Sequence, residues 1–217
     1  MEYQRNLERL HRCVAAVLEA SARKRRRFLE FVDLQIAFTD NDFFRDKCIE
    51  FAVVMNHIPK PGLRVCVLGD AGHCEEARAN DLPFTPSRDL RALDKHRHIK
   101  QLTNDFDVFV ASHSVRRWLK HSPLGLGLKM ADKWPKLLSH RRPLVEQVDK
   151  VKATARFRFG GESPRGLVVG NVGMSPRELA ENIDDVVKHM EVVLRENWRN
   201  VRSMHIKSTM GPPQRIY

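Results

Sequence analysis

Lys152–Phe159 reads KATARFRF. Ala153, Ala155, Phe157 and Phe159 alternate with Lys152, Thr154, Arg156 and Arg158, so an extended chain here carries one apolar and one cationic face. That is the pattern of an antiparallel strand with a wet side. The same texture occurs near the other end of the chain, in Val32, Leu34, Ile36 and Phe38, and again in Ile49, Phe51, Val53 and Met55. Between these stretches it is absent. RVCVLG (64–69) and DVFVAS (107–112) are nearly continuous apolar runs, each followed by a helix-forming stretch, DAGHCEEARAN (70–80) and VRRWLK (115–120). Strand–helix alternation of that kind predicts a parallel, doubly wound sheet. IPKPG (58–62), with two prolines and a glycine, is the stiff connector where the texture changes.

The chain is therefore expected to be α/β with two domains: a split β-α-β two-layer sandwich formed by both chain ends, and an inserted doubly wound α/β domain. The first domain is placed at 1–59 and 156–217, the second at 60–155. Leu7, Leu10, Val14, Val17 and Leu18 give an opening helix from Asn6 to Arg23, running into the cationic stretch RKRRR (23–27). SPRE (175–178) carries helix-start signals: Ser175 to cap, Pro176 for the first turn and Glu178 to close a capping box. Leu179, Ile183, Val186, Val187, Met190, Val193 and Leu194 follow as an apolar stripe, and a last strand is expected from Val201 to Ser208. Arg88–Asn104 reads as a basic helix-like stretch, and SPLGLGLKMADKWP (122–135) as a glycine-punctuated loop.

The 217 residues carry 38 Lys and Arg against 27 acids, a net charge of +11, with a pI near 9.9. Such an excess calls for a polyanionic partner, and nucleic acid is favoured over a membrane surface. No run of about 18 apolar residues exists to span a bilayer. The opening MEYQRNLERLHRC lacks the apolar stretch of a signal peptide, so an intracellular protein is expected.

Catalytic patterns are missing. Cys13, Cys48, Cys66 and Cys74 form no C-x-x-C pair, and Cys13 and Cys66 fall on core positions. His73-Cys74 has no second pair with which to complete a tetrahedral metal site, and the ten histidines form no H-x-x-x-H. VLGDAGH (67–73) offers only G-x-x-G between strand and helix, a weak sign of phosphate binding and the sole support for a nucleotide-using enzyme. No cofactor, metal or small-molecule substrate is expected. In the last strand Ser203, His205, Lys207 and Thr209 share a face and lead to Gly211, where a backbone can approach closely. Hydroxyls, a thioether and a glycine suit ribose and phosphate.

RKRRRFLEFVDLQI (23–36), VCVLGDAGHCEEA (65–77), VDKVKATARFRF (148–159) and above all NWRNVRSMHIKSTMGPPQRIY (197–217) together resemble the universal stalk protein family of the large ribosomal subunit, ribosomal protein L one, called L ten a in eukaryotes. The resemblance covers essentially the whole chain. It implies that the inserted domain is a Rossmann-like three-layer α/β domain joined by two hinge strands. It also implies a non-enzymatic structural constituent that binds large-subunit ribosomal RNA through domain one. The resulting mobile stalk contacts deacylated tRNA at the exit site and helps release it. Other ribosomal components, a monomeric state off the ribosome and a cytoplasmic location, with nucleolar assembly if eukaryotic, are implied as well. Carried over by motif, the RNA contacts are Arg27, Phe28, Glu30, Ser203, Thr209, Met210 and Gly211, with Lys207 and Arg215 as phosphate contacts. Phe31, Phe51, Leu126 and Asp132 depart from the family's threonine, glycine, proline and glycine. A translational repressor acting off the ribosome would use the same surface.

Overall fold

The computed structural model describes residues 2–39, 49–92, 96–159 and 166–217; Cys48 and the side chains of Arg158 and Phe159 lie outside what is described. The N-terminal segment gives α1 (Glu2–Arg23), β1 (Phe31–Phe38) and β2 (Ile49–Val54). The middle gives β3 (Val65–Gly69), α2 (Ala71–Ala79), β4 (Phe84–Pro86), α3 (Ser87–Ala92), α4 (His96–Asp105), β5 (Val108–Ala111), α5 (His113–Leu119), α6 (Pro123–Met130), β6 (Lys136–Leu137) and α7 (Leu144–Lys152). The C-terminal segment gives β7 (Thr154–Phe159), β8 (Leu167–Asn171), α8 (Pro176–Leu194), a 3₁₀ turn (Arg195–Asn200), β9 (Val201–Ser208) and β10 (Gln214–Arg215). Two compact units result, Met1–Lys60 with Ala153–Tyr217, and Pro61–Lys152.

In the first unit an antiparallel sheet runs β10-β9-β1-β8. Alternation in β1 sends Val32, Leu34 and Ile36 inward, where they meet Met204 and Ile206 of β9. α1 supplies Val14 and Val17, and α8 supplies Leu179, Ile183, Val186 and Met190, closing one apolar layer over the sheet. The capping box of α8 forms: Ser175 N–H donates to Glu178 Oε2 (2.8 Å) and Glu178 N–H to Ser175 Oγ (3.3 Å). β2 and β7 pair apart from this sheet as an antiparallel ribbon, and the Phe51 ring stacks on Phe157 with centroids 5.2 Å apart. Phe51 is thus a core residue.

The connector after β2 is fastened by Asn182 of α8, which is fully buried. Its Oδ1 accepts from His57 N–H (3.0 Å), while Nδ2 donates to the His57 carbonyl (3.0 Å) and the Val169 carbonyl (2.9 Å).

The second unit is a parallel sheet, β4-β3-β5-β6, with helices on both faces. Cys66, Leu68, Phe109 and Ala111 pack with Leu90, Ile99, Leu119, Leu124 and Leu128 on one side; Val65, Val67 and Val110 pack with Ala77, Leu144 and Val148 on the other. Burial pushes the Cys66 thiol up to about 11, as fits an inert core residue.

Two local expectations are corrected. The stretch 122–135 is not a loop throughout, because Pro123–Met130 is helical. Ser122 caps it by accepting from Gly125 N–H (3.1 Å), and Gly125 is required for packing, since a Cβ there would lie 1.7 Å from the Leu119 carbonyl oxygen. The basic stretch 88–104 is helical over the residues described, in α3 and α4, and 93–95 lie outside the described residues. Lys152 ends α7, so the strand begins at Thr154. Asp132, at φ 55°, takes the left-handed conformation that glycine adopts without strain.

Two substitutions test this packing. Asn182→Ala leaves three buried backbone groups without partners and should lower stability by about 3 kcal/mol, each lost partner costing roughly 1–3. A loss below about 1 kcal/mol in urea titration would dismiss the anchor. Gly125→Ala should destabilise by about 1–3 kcal/mol through overpacking, although alanine is the better helix former by about 1 kcal/mol. A stabilised variant would show that the close approach to Leu119 is wrong.

Candidate nucleic-acid interface

α1 stops at Arg23, and the chain leaves it through Lys24, Arg25, Arg26 and Arg27, of which only Arg26 is partly covered. Phe28 and Leu29 follow with 54% and 43% of their surface exposed, and then Glu30 is 2% exposed. A buried carboxylate must be saturated with hydrogen bonds. Glu30 Oε2 accepts from Ser21 Oγ (2.5 Å), and Oε1 accepts from Met210 N–H (3.0 Å) and Ser208 Oγ (3.3 Å). The side chain thus ties the last turns of α1 to the end of β9. Burial alone would raise its pKa, but the bonds from Ser21, Met210 and Ser208, with the nearby Arg26 charge, outweigh it and hold the carboxyl below its ordinary value.

Thr209 is fixed to the start of β1. Its N–H donates to the Phe31 carbonyl (2.9 Å), and its hydroxyl accepts from Phe31 N–H (3.0 Å) while facing the same carbonyl at 3.2 Å. Gly211 N–H closes the turn onto the Ser208 carbonyl (3.1 Å). A Cβ on Gly211 would lie 2.5 Å from Ser208 Oγ, the hydroxyl held by Glu30. The Met210 side chain projects outward, 59% exposed.

Arg25, Arg26, Phe28, Leu29, Glu30 and Val172 line a cleft of about 260 Å³ beneath the end of α1. Its mouth combines cations with an open aromatic ring, the pairing that suits phosphate and an unstacked base.

The sequence-predicted residues therefore divide. Glu30, Thr209, Met210 and Gly211 are joined through one hydrogen-bonded turn, with Arg27 and Phe28 just before Glu30 in the chain. The Glu30 oxygens are buried and already bonded within the protein, in contrast to the exposed side chains of Phe28 and Met210. Ser203, six residues before Thr209 on an extended strand, lies about 20 Å away and is 9% exposed, so it does not join the turn. Lys207 sits opposite Asp33, whose carboxyl burial pushes up and the charges of Lys207 and Lys60 pull back. Arg215, exposed on β10, pairs with His205 and donates Nε–H to the Tyr217 carbonyl (2.8 Å).

Ser21 and Ser208 were missed by sequence reasoning. Ser208 falls on the inward series Met204, Ile206, Ser208, and a hydroxyl on an apolar face signals a buried partner. At the other glycine motif, Asp70 caps α2 by accepting from His73 N–H (3.3 Å), so the protein's own carboxylate occupies the amide on which a phosphate would depend.

Glu30→Ala strands the Met210 N–H and two hydroxyls and should cost about 2 kcal/mol or more. Because the folded-state pKa of Glu30 is lowered, its contribution is complete above about 4.5 and fades as pH falls below that value. Wild type should accordingly lose its advantage over Glu30→Gln in acid, read from urea midpoints across pH. A pH-independent gap would mean that the carboxylate charge is not what holds the turn.

Residues 18–212 match the profile of the Ribosomal protein L1p/L10e family. The chain is similar to the Large ribosomal subunit protein uL1 of Drosophila melanogaster, 42% identical over 211 residues and 96% of both chains. The proteins of that name in Spodoptera frugiperda and Caenorhabditis elegans are 42% and 39% identical, over 96% and 97% of each chain. With a profile match across most of its length and relatives this similar end to end, the chain belongs to the Ribosomal protein L1p/L10e family.

Proposed function

We propose that this protein is a structural constituent of the large ribosomal subunit, not an enzyme. It binds large-subunit ribosomal RNA through the unit built from its two ends. The RNA–protein stalk so formed contacts deacylated tRNA at the exit site and helps release it. Off the ribosome the chain is a monomer, and it works in the cytoplasm among other ribosomal components, with nucleolar assembly in a eukaryotic cell.

The observation that carries this reading is the turn Ser208–Gly211, held by Glu30 and Phe31, with Met210 exposed on it and the exposed Phe28 following the cations of 23–27 directly in the chain. Exposed apolar side chains next to cations favour a shaped RNA over polyanions in general: phosphate contacts set position, and base contacts discriminate. Lys207 and Arg215 extend the contact along β9 and β10 toward flanking phosphates, while the buried Ser203 lies behind them.

The test is binding to the stalk-base fragment of large-subunit ribosomal RNA against an unrelated hairpin of equal length, at two salt concentrations. With about six phosphates neutralised, log affinity should fall with log salt at a slope of roughly −5. The preference for the stalk fragment should persist at high salt. Phe28→Ala with Met210→Ala should weaken specific binding by about tenfold or more, leaving the melting temperature unchanged. Arg25→Ala and Arg27→Ala should each reduce the slope by about 1 and weaken both RNAs alike. Equal affinity for the two RNAs would reduce the protein to a generic cation, and sedimentation largely outside large-subunit fractions would favour a free repressor.

A further inference from the structure

At the C-terminal edge of the parallel sheet, three metal-ligating side chains converge that the linear sequence keeps apart. Asp70 follows β3 directly, His73 lies in the first turn of α2, and His140 follows β6. Asp70 Oδ1 is 3.0 Å from His73 Nδ1, and Oδ2 is 3.2 Å from His140 Nε2. One ligand atom from each of the three lies within 4.8 Å of the others. Crevices at the carboxyl ends of strands are where open α/β sheets collect their ligands.

We propose that Asp70, His73 and His140 bind one divalent first-row transition-metal ion. Two imidazoles and a carboxylate are the donors that zinc, cobalt and ferrous iron prefer. Bonds of about 2.0–2.1 Å from one ion to a nitrogen and an oxygen hold those atoms about 3.0–3.4 Å apart, so both imidazoles lie within reach of an ion on the Asp70 carboxylate once the exposed His140 ring turns toward it.

The surroundings set the character of the site. His73 is buried and His140 is 62% exposed, so one ligand is fixed and the other is free to move. The two rings stack with centroids 3.9 Å apart, and His140 must turn out of that stack to aim Nε2 at the ion. Among the described residues His73 Nε2 has no hydrogen-bond partner. Metal-bound histidines normally have such a partner, and its lack weakens affinity by about 10–100-fold. The ion is therefore exchangeable, with water completing its shell on the His140 side.

The experiment titrates Zn²⁺ by calorimetry and Co²⁺ by absorption into the full chain, and into His140→Ala and Asp70→Asn, with folding checked by circular dichroism. Asparagine still caps a helix, so the second variant keeps α2 intact. One equivalent should bind the wild type, with cobalt bands typical of nitrogen and oxygen ligands, and each variant should bind about tenfold or more weakly. Absence of saturable binding, unchanged affinity in both folded variants, or a thiolate-to-cobalt charge-transfer band would overturn the assignment. None of these readouts depends on RNA.

Discussion

The pairing of β1 with β9 is the constraint on which the first unit rests. β1 lies between β9 and β8, so both of its hydrogen-bonding edges are satisfied by the C-terminal segment. Val32 faces Ser208, Leu34 faces Ile206 and Ile36 faces Met204, which sets the inward faces in phase. A one-residue slip would turn Val32, Leu34 and Ile36 to the wet side and bring Asp33 and Gln35 into the core. The register thus places Ser208 under Glu30 and Thr209 over Phe31, and the exposed turn inherits its geometry from the core.

Within that frame Glu30 converts a terminal turn into a defined surface. A carboxylate is an acceptor only. It can gather a backbone N–H and two hydroxyls from α1 and the C-terminal turn, and it offers nothing to a phosphate. Phe28 and Met210 are exposed, while Glu30 with Ser21 and Ser208 forms the buried support behind the turn that carries Met210. Residues implied as RNA contacts by a family motif thus differ in exposure, and Glu30 is the one whose carboxylate is spent inside the protein.

The architecture was largely legible in the sequence because strand texture differs between the two units. Alternation marks β1, β2 and β7, each with one dry face, and continuous apolar runs mark β3 and β5, which are covered on both. The capping box at Ser175 was readable for the same reason, being encoded within four residues. What failed was encoded at a distance. Gly125 reads as a helix breaker until Leu119 is seen pressing against it. Glu30 reads as a surface acid until Ser208 and Met210 arrive from the other end of the chain. His140 says nothing about Asp70 until β3 and β6 join one sheet. Thr209 and Met210 were found through a motif resemblance, since strand spacing alone puts Thr209 on the same stripe as the distant Ser203.

The discontinuity of the first unit has a consequence for synthesis. Both edges of β1 wait for strands made only after the whole of Pro61–Lys152, and at about 5–20 residues per second that interval is on the order of ten to thirty seconds. During it Pro61–Lys152, whose strands and helices are all local to one another, can complete its own core. The nascent β1 meanwhile offers an unpaired apolar ribbon, with the five cations of Arg23–Arg27 just upstream to oppose self-association. The cationic stretch then serves the newborn chain as a solubility guard before it serves the finished protein.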